Sequence, residues 1–168
     1  MSISNCLFVG NFLSIASAFT VAAAADFKID NCGFRDTSAV LGFLSIVTTT
    51  VSLNSDGLTY TNNSRKSDAT TTPGPDVVIA NTMSRLKVNG NKSVHTVASN
   101  NTAALIEHGA LVMTDAEVIG NYVYSVNTDT ATGGILVKTT ATTGSGIVAH
   151  NRVRTLDTAA AILVTVAA

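Results

Sequence analysis

Tryptophan is absent from this chain, and Tyr60, Tyr122 and Tyr124 are its only tyrosines. An aromatic platform of the kind that grips sugars is therefore thinly supplied. Charge is scarce too, at 12% of residues. That excludes disorder, which goes with high charge and few apolar residues, and a helical bundle, which wants long runs of Leu, Glu, Lys and Arg. Neither sign dominates: the formal net charge is −1, which gives no long-range reason to expect nucleic acid. The densest basic pairs, Arg65-Lys66 and Arg152 with Arg154, read as solvated positions. No C-x-x-C or Cys/His spacing for zinc occurs, nor a glycine-rich phosphate loop, nor a nucleophile elbow. Cys6 to Ala25 is uncharged but broken by Asn11, Ser14, Ser17 and Thr20, and no basic residue precedes Lys28. Neither a leader nor a membrane anchor is expected, and the stretch reads as a first coil.

What is abundant is Val, Ala, Thr, Ser, Asn and Gly, a composition for many short strands joined by tight turns. The turns recur. Val118-Ile119-Gly120-Asn121 is preceded thirty residues earlier by Val88-Asn89-Gly90-Asn91 and followed thirty later by Val148-Ala149-His150-Asn151. Tyr60-Thr61-Asn62-Asn63, Ile29-Asp30-Asn31-Cys32 and Ile3-Ser4-Asn5-Cys6 complete six copies, at steps of 26, 31, 28, 30 and 30. A period in this range marks a solenoid, whose units cannot bury their apolar faces alone. A sharp turn between successive strands calls for a residue at positive φ, which Asn and Gly tolerate best. Stacked asparagines can also hydrogen-bond from one rung to the next. The predicted turn ladder is Cys6, Cys32, Asn63, Asn91, Asn121 and Asn151.

The resulting expectation is one all-β domain over 1–168, a right-handed parallel β-helix of about six rungs with an asparagine-lined turn. An antiparallel sandwich is the runner-up, though it gives no reason for an asparagine column. Both prolines fall near Pro73-Gly74-Pro75, so a loop excursion is predicted at 67–75. The residue five places after the first of each copy reads Phe8, Phe34, Arg65, Ser93, Val123 and Val153. This is an inward column from which the third and fourth rungs are expected to depart at Arg65 and Ser93. Further on, Leu105-Ile106 are expected to pair with Ile135-Leu136, thirty residues apart. Thr48-Thr49-Thr50 reads as strand propensity and not as an ice-binding face. Cys6 and Cys32 stack one rung apart, about 4.8 Å, which a disulfide could span. A pair of buried thiols packing as small apolar groups is the preferred reading.

At Ile3-Ser4-Asn5-Cys6-Leu7-Phe8 and Ile29-Asp30-Asn31-Cys32-Gly33-Phe34 the chain resembles the pectate-lyase-like β-helix superfamily, whose members often carry an I-x-N-C-x-F phrase at a turn lined by asparagine. The resemblance is one of pattern over most of the chain. It implies the right-handed parallel β-helix, shared by polysaccharide lyases, hydrolases and bacteriophage tailspikes and fibres. Fold alone does not choose among these.

A glycosidase needs converging carboxylates, and the repeat brings none together. Asp30 shares its column with Thr61, Asn89, Ile119 and Ala149. Glu117 falls opposite Lys87 as an exposed cross-strand pair. Asp115 and Glu117 could hold a cation, but a solvated strand face is the preferred account. His150 reads as a turn residue and His108 as loop. Arg152 and Arg154, the candidates for a lyase-type base, have no acidic cluster at their height. Catalytic, cofactor and metal residues are accordingly predicted as none, and the chain is read as not an enzyme. Enzymes of the superfamily cap the first rung with a helix, for which a repeat starting at Ile3 leaves no room, and Ile162 to Ala168 is apolar. Uncovered tips are expected to be met by a neighbour. The functional expectation is a structural bacteriophage virion component, decorating or cementing a capsid or joining a tail. Its partners would be copies of itself, in a symmetric assembly such as a trimer, and other virion proteins, with no nucleic acid and no membrane. The alternative is a secreted or tailspike-type fragment that binds or degrades glycan.

Overall fold

The computed structural model describes residues 1–10, 17–21, 25–36, 47–51, 55–67, 76–79, 81–96, 104–108, 112–125, 135–139 and 143–155. Within them the chain is all β, in three parallel sheets. Strands are numbered in chain order. The first sheet stacks β1 (Ser2–Ser4), β4 (Ala25–Asp30), β7 (Ser55–Thr61), β10 (Met83–Asn89), β13 (Val112–Ile119) and β16 (Thr143–Ala149). The second stacks β2 (Leu7–Gly10), β5 (Gly33–Asp36), β8 (Ser64–Ser67), β11 (Lys92–His95), β14 (Tyr122–Ser125) and β17 (Arg152–Thr155). The third holds β3 (Ser17–Val21), β6 (Val47–Val51), β9 (Val77–Ile79), β12 (Ala104–His108) and β15 (Ile135–Thr139). Each strand pairs with those three places before and after it, so the chain visits the sheets in rotation. This is the order expected of a parallel β-solenoid. Every strand pair among the described residues is parallel, which excludes the antiparallel sandwich.

Register follows the repeat. Ile3 pairs with Ile29, then Tyr60, Val88, Val118 and Val148 succeed one another across the first sheet, at steps of 26, 31, 28, 30 and 30. Ile29, Tyr60, Val88 and Val118 are buried from this column, and Phe27, Leu58, Leu86 and Ala116 from the next inward one. The period-2 alternation of a strand sends the intervening Lys28, Thr59, Lys87 and Glu117 outward. On the second sheet the inward column is Phe8, Phe34, Arg65, Ser93, Val123 and Val153. The rings of Phe8 and Phe34 stack at 5.2 Å between centroids, and Phe34 lies 6.4 Å from Tyr60 across the interior.

Two expectations about this interior need correction. Arg65 and Ser93 do not leave the column: both are buried. Arg65 is thus no solvated surface residue, because Asp76 enters the core and pairs with it. In the third sheet, Ala104 pairs with Ile135 and Ile106 with Val137, so the step is 31 and not thirty. A constant spacing at one turn does not fix the spacing elsewhere in a rung. The extra residue is absorbed in the first sheet, where Met113 faces Gly144 but Ala116 faces Gly146, so Thr114 and Asp115 together oppose Ser145. Of the excursion predicted at 67–75, Ser67 ends β8, and 68–75 lie outside the described residues. The threonine run Thr48-Thr49-Thr50 lies within β6.

Candidate functional site: the stacked turn and the charged outer faces

The turn that joins the first sheet to the second is built from two columns with separate tasks. The first residue of each pair is left-handed throughout: φ is 56° at Asn5, 52° at Asn31, 55° at Asn62, 67° at Gly90, 66° at Gly120 and 54° at His150. This explains why the column contains only Asn, Gly and a histidine, the last serving as a turn residue. Ladder hydrogen bonds run through the bend without a break. Asn31 N–H donates to Thr61 O at 3.0 Å, Asn62 N–H to Asn89 O at 2.9 Å and Gly90 N–H to Ile119 O at 2.9 Å.

The second residue of each pair forms the ladder, buried at Cys32, Asn63, Asn91 and Asn121. Asn91 Oδ1 accepts from Asn63 N–H, Asn121 Oδ1 from Asn91 N–H and Asn151 Oδ1 from Asn121 N–H, at 2.8–2.9 Å. Their Nδ2 groups donate to the carbonyls of Tyr60, Val88 and Val118, at 2.9, 2.7 and 2.7 Å. Asn63 does the same for the preceding turn, accepting from Cys32 N–H and donating to Ile29 O. Each asparagine therefore braces the turn one rung below its own, tying together two backbone groups three residues apart. The ladder has a direction. Cys32 holds the position that would brace the turn at Cys6, and a thiol does this only weakly: its Sγ lies 3.9 Å from Ile3 O and 3.4 Å from its own rung's Asp30 O, and it has no amide oxygen to accept from Cys6 N–H. Both cysteines are free, but only Cys32 is buried; Cys6 is exposed, so the expected pair of buried thiols is corrected to one, because Cys6 lies on the first rung with no rung below it among the described strands to cover it. The ladder can hold shape, since amides at neutral pH neither titrate nor attack.

The outer face of the first sheet carries charges that satisfy one another. Lys28 pairs with Asp30 at 3.2 Å and Lys87 with Glu117 at 3.4 Å. Asp30 also accepts from the Thr61 hydroxyl at 2.7 Å and Asn62 Nδ2 at 3.1 Å. The Thr61 hydrogen bond above all, joined by those of Lys28 and Asn62, holds the Asp30 carboxyl below its usual value despite the opposing effect of burial. Asp115 and Glu117 line one shallow depression of about 310 Å³ with Ala116, Gly146 and Ile147. Glu117 is engaged by Lys87 and by Asn89 Nδ2 at 3.3 Å, and Asp115 N–H donates to Ser145 Oγ at 3.1 Å. Among the described residues no three His, Cys, Asp or Glu side chains gather as a metal site would require. His108, expected in a loop, ends β12 and faces Ile79 and Thr139. The lyase-type candidates Arg152 and Arg154 lie over the rings of Tyr122 and Tyr124, at 5.9 and 5.6 Å from the centroids.

Two clusters escaped the reading of the sequence. Arg65 Nη1 donates to Asp76 Oδ1 at 2.9 Å, and Ser93 Oγ donates to the same oxygen at 2.9 Å. Arg65 and Ser93 are in the repeat, but Asp76 is not, so counting along the repeat does not lead to it. On the outer face Arg85 grips Asp56 with two bonds, Nε to Oδ1 at 2.6 Å and Nη2 to Oδ2 at 2.7 Å, and approaches Asp26 at 3.2 Å. This second cluster was findable. Asp26, Gly57, Arg85 and Asp115 all lie five residues before the left-handed turn residue of their rung, and all are themselves left-handed, with φ of 49°, 79°, 51° and 53°. A second stacked bend thus runs through the first sheet. At Gly57 an added side chain would meet Asp26 Oδ1 at 2.6 Å, so the Asp26 carboxylate would have to move aside.

Comparison with protein-family models, with curated proteins and with solved structures found no match. The class the fold defines is an all-β chain of stacked parallel sheets, and its function is argued from its own geometry.

Proposed function

We propose that the chain closes as a right-handed parallel β-helix of six rungs and works as a structural component of a bacteriophage virion. It would decorate or cement a capsid, or belong to a tail, through protein–protein contacts. The observation that carries this reading is the state of β16. The inward column of the first sheet reaches Val148, which is 46% exposed, and Ile147 beside it is 57% exposed. Among the described strands β16 is paired on one side only. A strand edge that offers unpaired backbone beside apolar side chains is a surface for another chain. The rest of the geometry suits a mechanical part: the ladder braces turn after turn, and on the first sheet Lys28 is spent on Asp30, Arg85 on Asp56 and Lys87 on Glu117.

Equilibrium sedimentation of the purified chain tests the contact. The wild type should form a discrete oligomer, and Ile147→Lys with Val148→Asp should yield monomers with an unchanged β-type circular dichroism spectrum. Immunogold labelling of purified phage particles tests the location. A monomeric wild type that releases unsaturated sugars from a polysaccharide panel, with the activity lost in Asp115→Ala or Glu117→Ala, would overturn the reading in favour of a glycan-degrading fragment.

A further inference from the structure

The second sheet turns a different face to solvent. Its two outward columns hold Arg35, Lys66, Lys92, Arg152 and Arg154, half of the chain's ten Lys and Arg residues, and not one aspartate or glutamate. A net charge of −1 conceals this, because five of the eleven acids, Asp26, Asp30, Asp56, Asp115 and Glu117, lie on the first sheet, and Asp36 of β5 falls outside the two outward columns. Lys92, Arg152 and Arg154 make no ion pair among the described residues. The two arginines instead cap Tyr122 and Tyr124. Such stacking is worth little by itself at an exposed site, but it holds the guanidinium planes in place before any ligand arrives.

We infer that this face binds the phosphate backbone of a single-stranded nucleic acid, with Lys92, Arg152 and Arg154 as the contacts and Tyr122 and Tyr124 as their supports. Three observations select that ligand. Lys92, Arg152 and Arg154 pair with no carboxylate among the described residues, and a polyanion gains most where no internal acid competes. Arg152 and Arg154 are two residues apart on one strand, about 6.6 Å along it, and Lys92 is two strands away, about 9.6 Å. Forked guanidinium donors at that spacing suit successive phosphates. Finally, a flat sheet cannot enter a duplex groove as a helix or ribbon does, whereas a flexible strand can lie across it. The tyrosine faces beneath the guanidiniums are occupied, so neither a stacked base nor a neutral sugar ring has a platform there. Recognition is therefore by charge and independent of sequence. Beside this patch the small Gly33 and Ser64 leave a depression of about 370 Å³ bordered by Arg35, Lys66 and Lys92, which continues the track along the sheet.

The test is fluorescence anisotropy of a labelled oligothymidylate with the full chain across a salt series. Three phosphate contacts on a single strand predict a slope of log affinity against log salt of about −2. Arg152→Gln with Arg154→Gln should reduce it to about −0.7 and weaken binding at low salt about tenfold. Lys28→Gln with Lys87→Gln, on the first sheet, should leave both unchanged. Circular dichroism verifies that each variant is folded, and Lys92→Gln alone supplies an independent single-site arm. No binding at low salt, a slope near zero, or equal losses from the first-sheet pair would overturn the inference. So would tighter, Arg152- and Arg154-dependent binding of polygalacturonate than of oligothymidylate at matched charge, which would make the ligand an acidic glycan.

Discussion

Two arginines in this molecule are clamped by aspartate, and their surroundings make them opposites. Arg65 and Asp76 have side chains 0% and 1% exposed, while Arg85 and Asp56 are 54% and 55% exposed, with Asp26 at 79%. The outer pair has the better geometry, a two-bond fork at 2.6 and 2.7 Å. Geometry is nevertheless the lesser influence. Around Arg85 water screens the charges and would solvate either partner left alone. Bulk solvent does not reach the Arg65 side chain, so the loss of Asp76 removes a counter-charge in the core that solvent does not replace. The same chemistry is a minor ornament at the surface and a constraint in the interior.

The sharpest way to break this comparison is Asp76→Ala, which should cost about 3–5 kcal/mol in urea denaturation, as the removal of one partner from a buried pair does. Arg65→Met combined with Asp76→Leu should cost less than Asp76→Ala alone, because no charge is stranded. If the double variant is the worse of the two, the cluster is held by something other than its charge pairing. Next in size is the ladder, which is buried but neutral. Asn121→Ala removes the acceptor of Asn91 N–H and the donor to Val88 O, and should cost about 2–3 kcal/mol by the same assay.

A smaller effect separates the two stacked bends. Gly120 has open space around its would-be side chain, so Gly120→Ala should cost only the left-handed backbone penalty, about 1–2 kcal/mol. Gly57→Ala adds a collision with Asp26 to the same penalty and should unfold at lower temperature than Gly120→Ala. The smallest effect is on the outer arginine pair: Asp56→Ala should change the denaturation midpoint by no more than measurement error. Its signature is in titration. The Arg85 hydrogen bonds, followed by that of Ser84, hold the Asp56 carboxyl below its ordinary value of 3.8. A carboxyl depressed by folding contributes stability above its unfolded pKa and loses it as pH falls through the lower folded value. Carboxyl NMR should therefore show Asp56 titrating below the ordinary value in the wild type and returning toward it in Arg85→Gln.

The turn ladder was legible because its cause is local. A bend between short strands needs a left-handed residue, few residue types accept that, and the requirement returns once per rung. Asn91, Asn121 and Asn151 could thus be found by counting, and so could the bend at Asp26, Gly57, Arg85 and Asp115, had the count been run five residues back from each turn. Arg65 was misread because its type argues for the surface, and the residue that reverses the argument, Asp76, stands eleven positions away outside any repeat. The third-sheet register slipped by one for a related reason: insertions between corners leave the corner spacing intact. The electrostatics of the second sheet were hidden by net charge, which sums over faces that point in different directions.

By itself the amino-acid order determined the all-β class, the spacing of the rungs and the identity of the turn residues, because backbone sterics and strand alternation act over a few neighbours. The folded structure alone decided which charges meet, which are buried and which share a face. Those outcomes depend on distances between residues about thirty positions apart, and on whether water reaches them. Lys92, Arg152 and Arg154 form one cationic patch for that reason, as Arg65 and Asp76 form one buried pair.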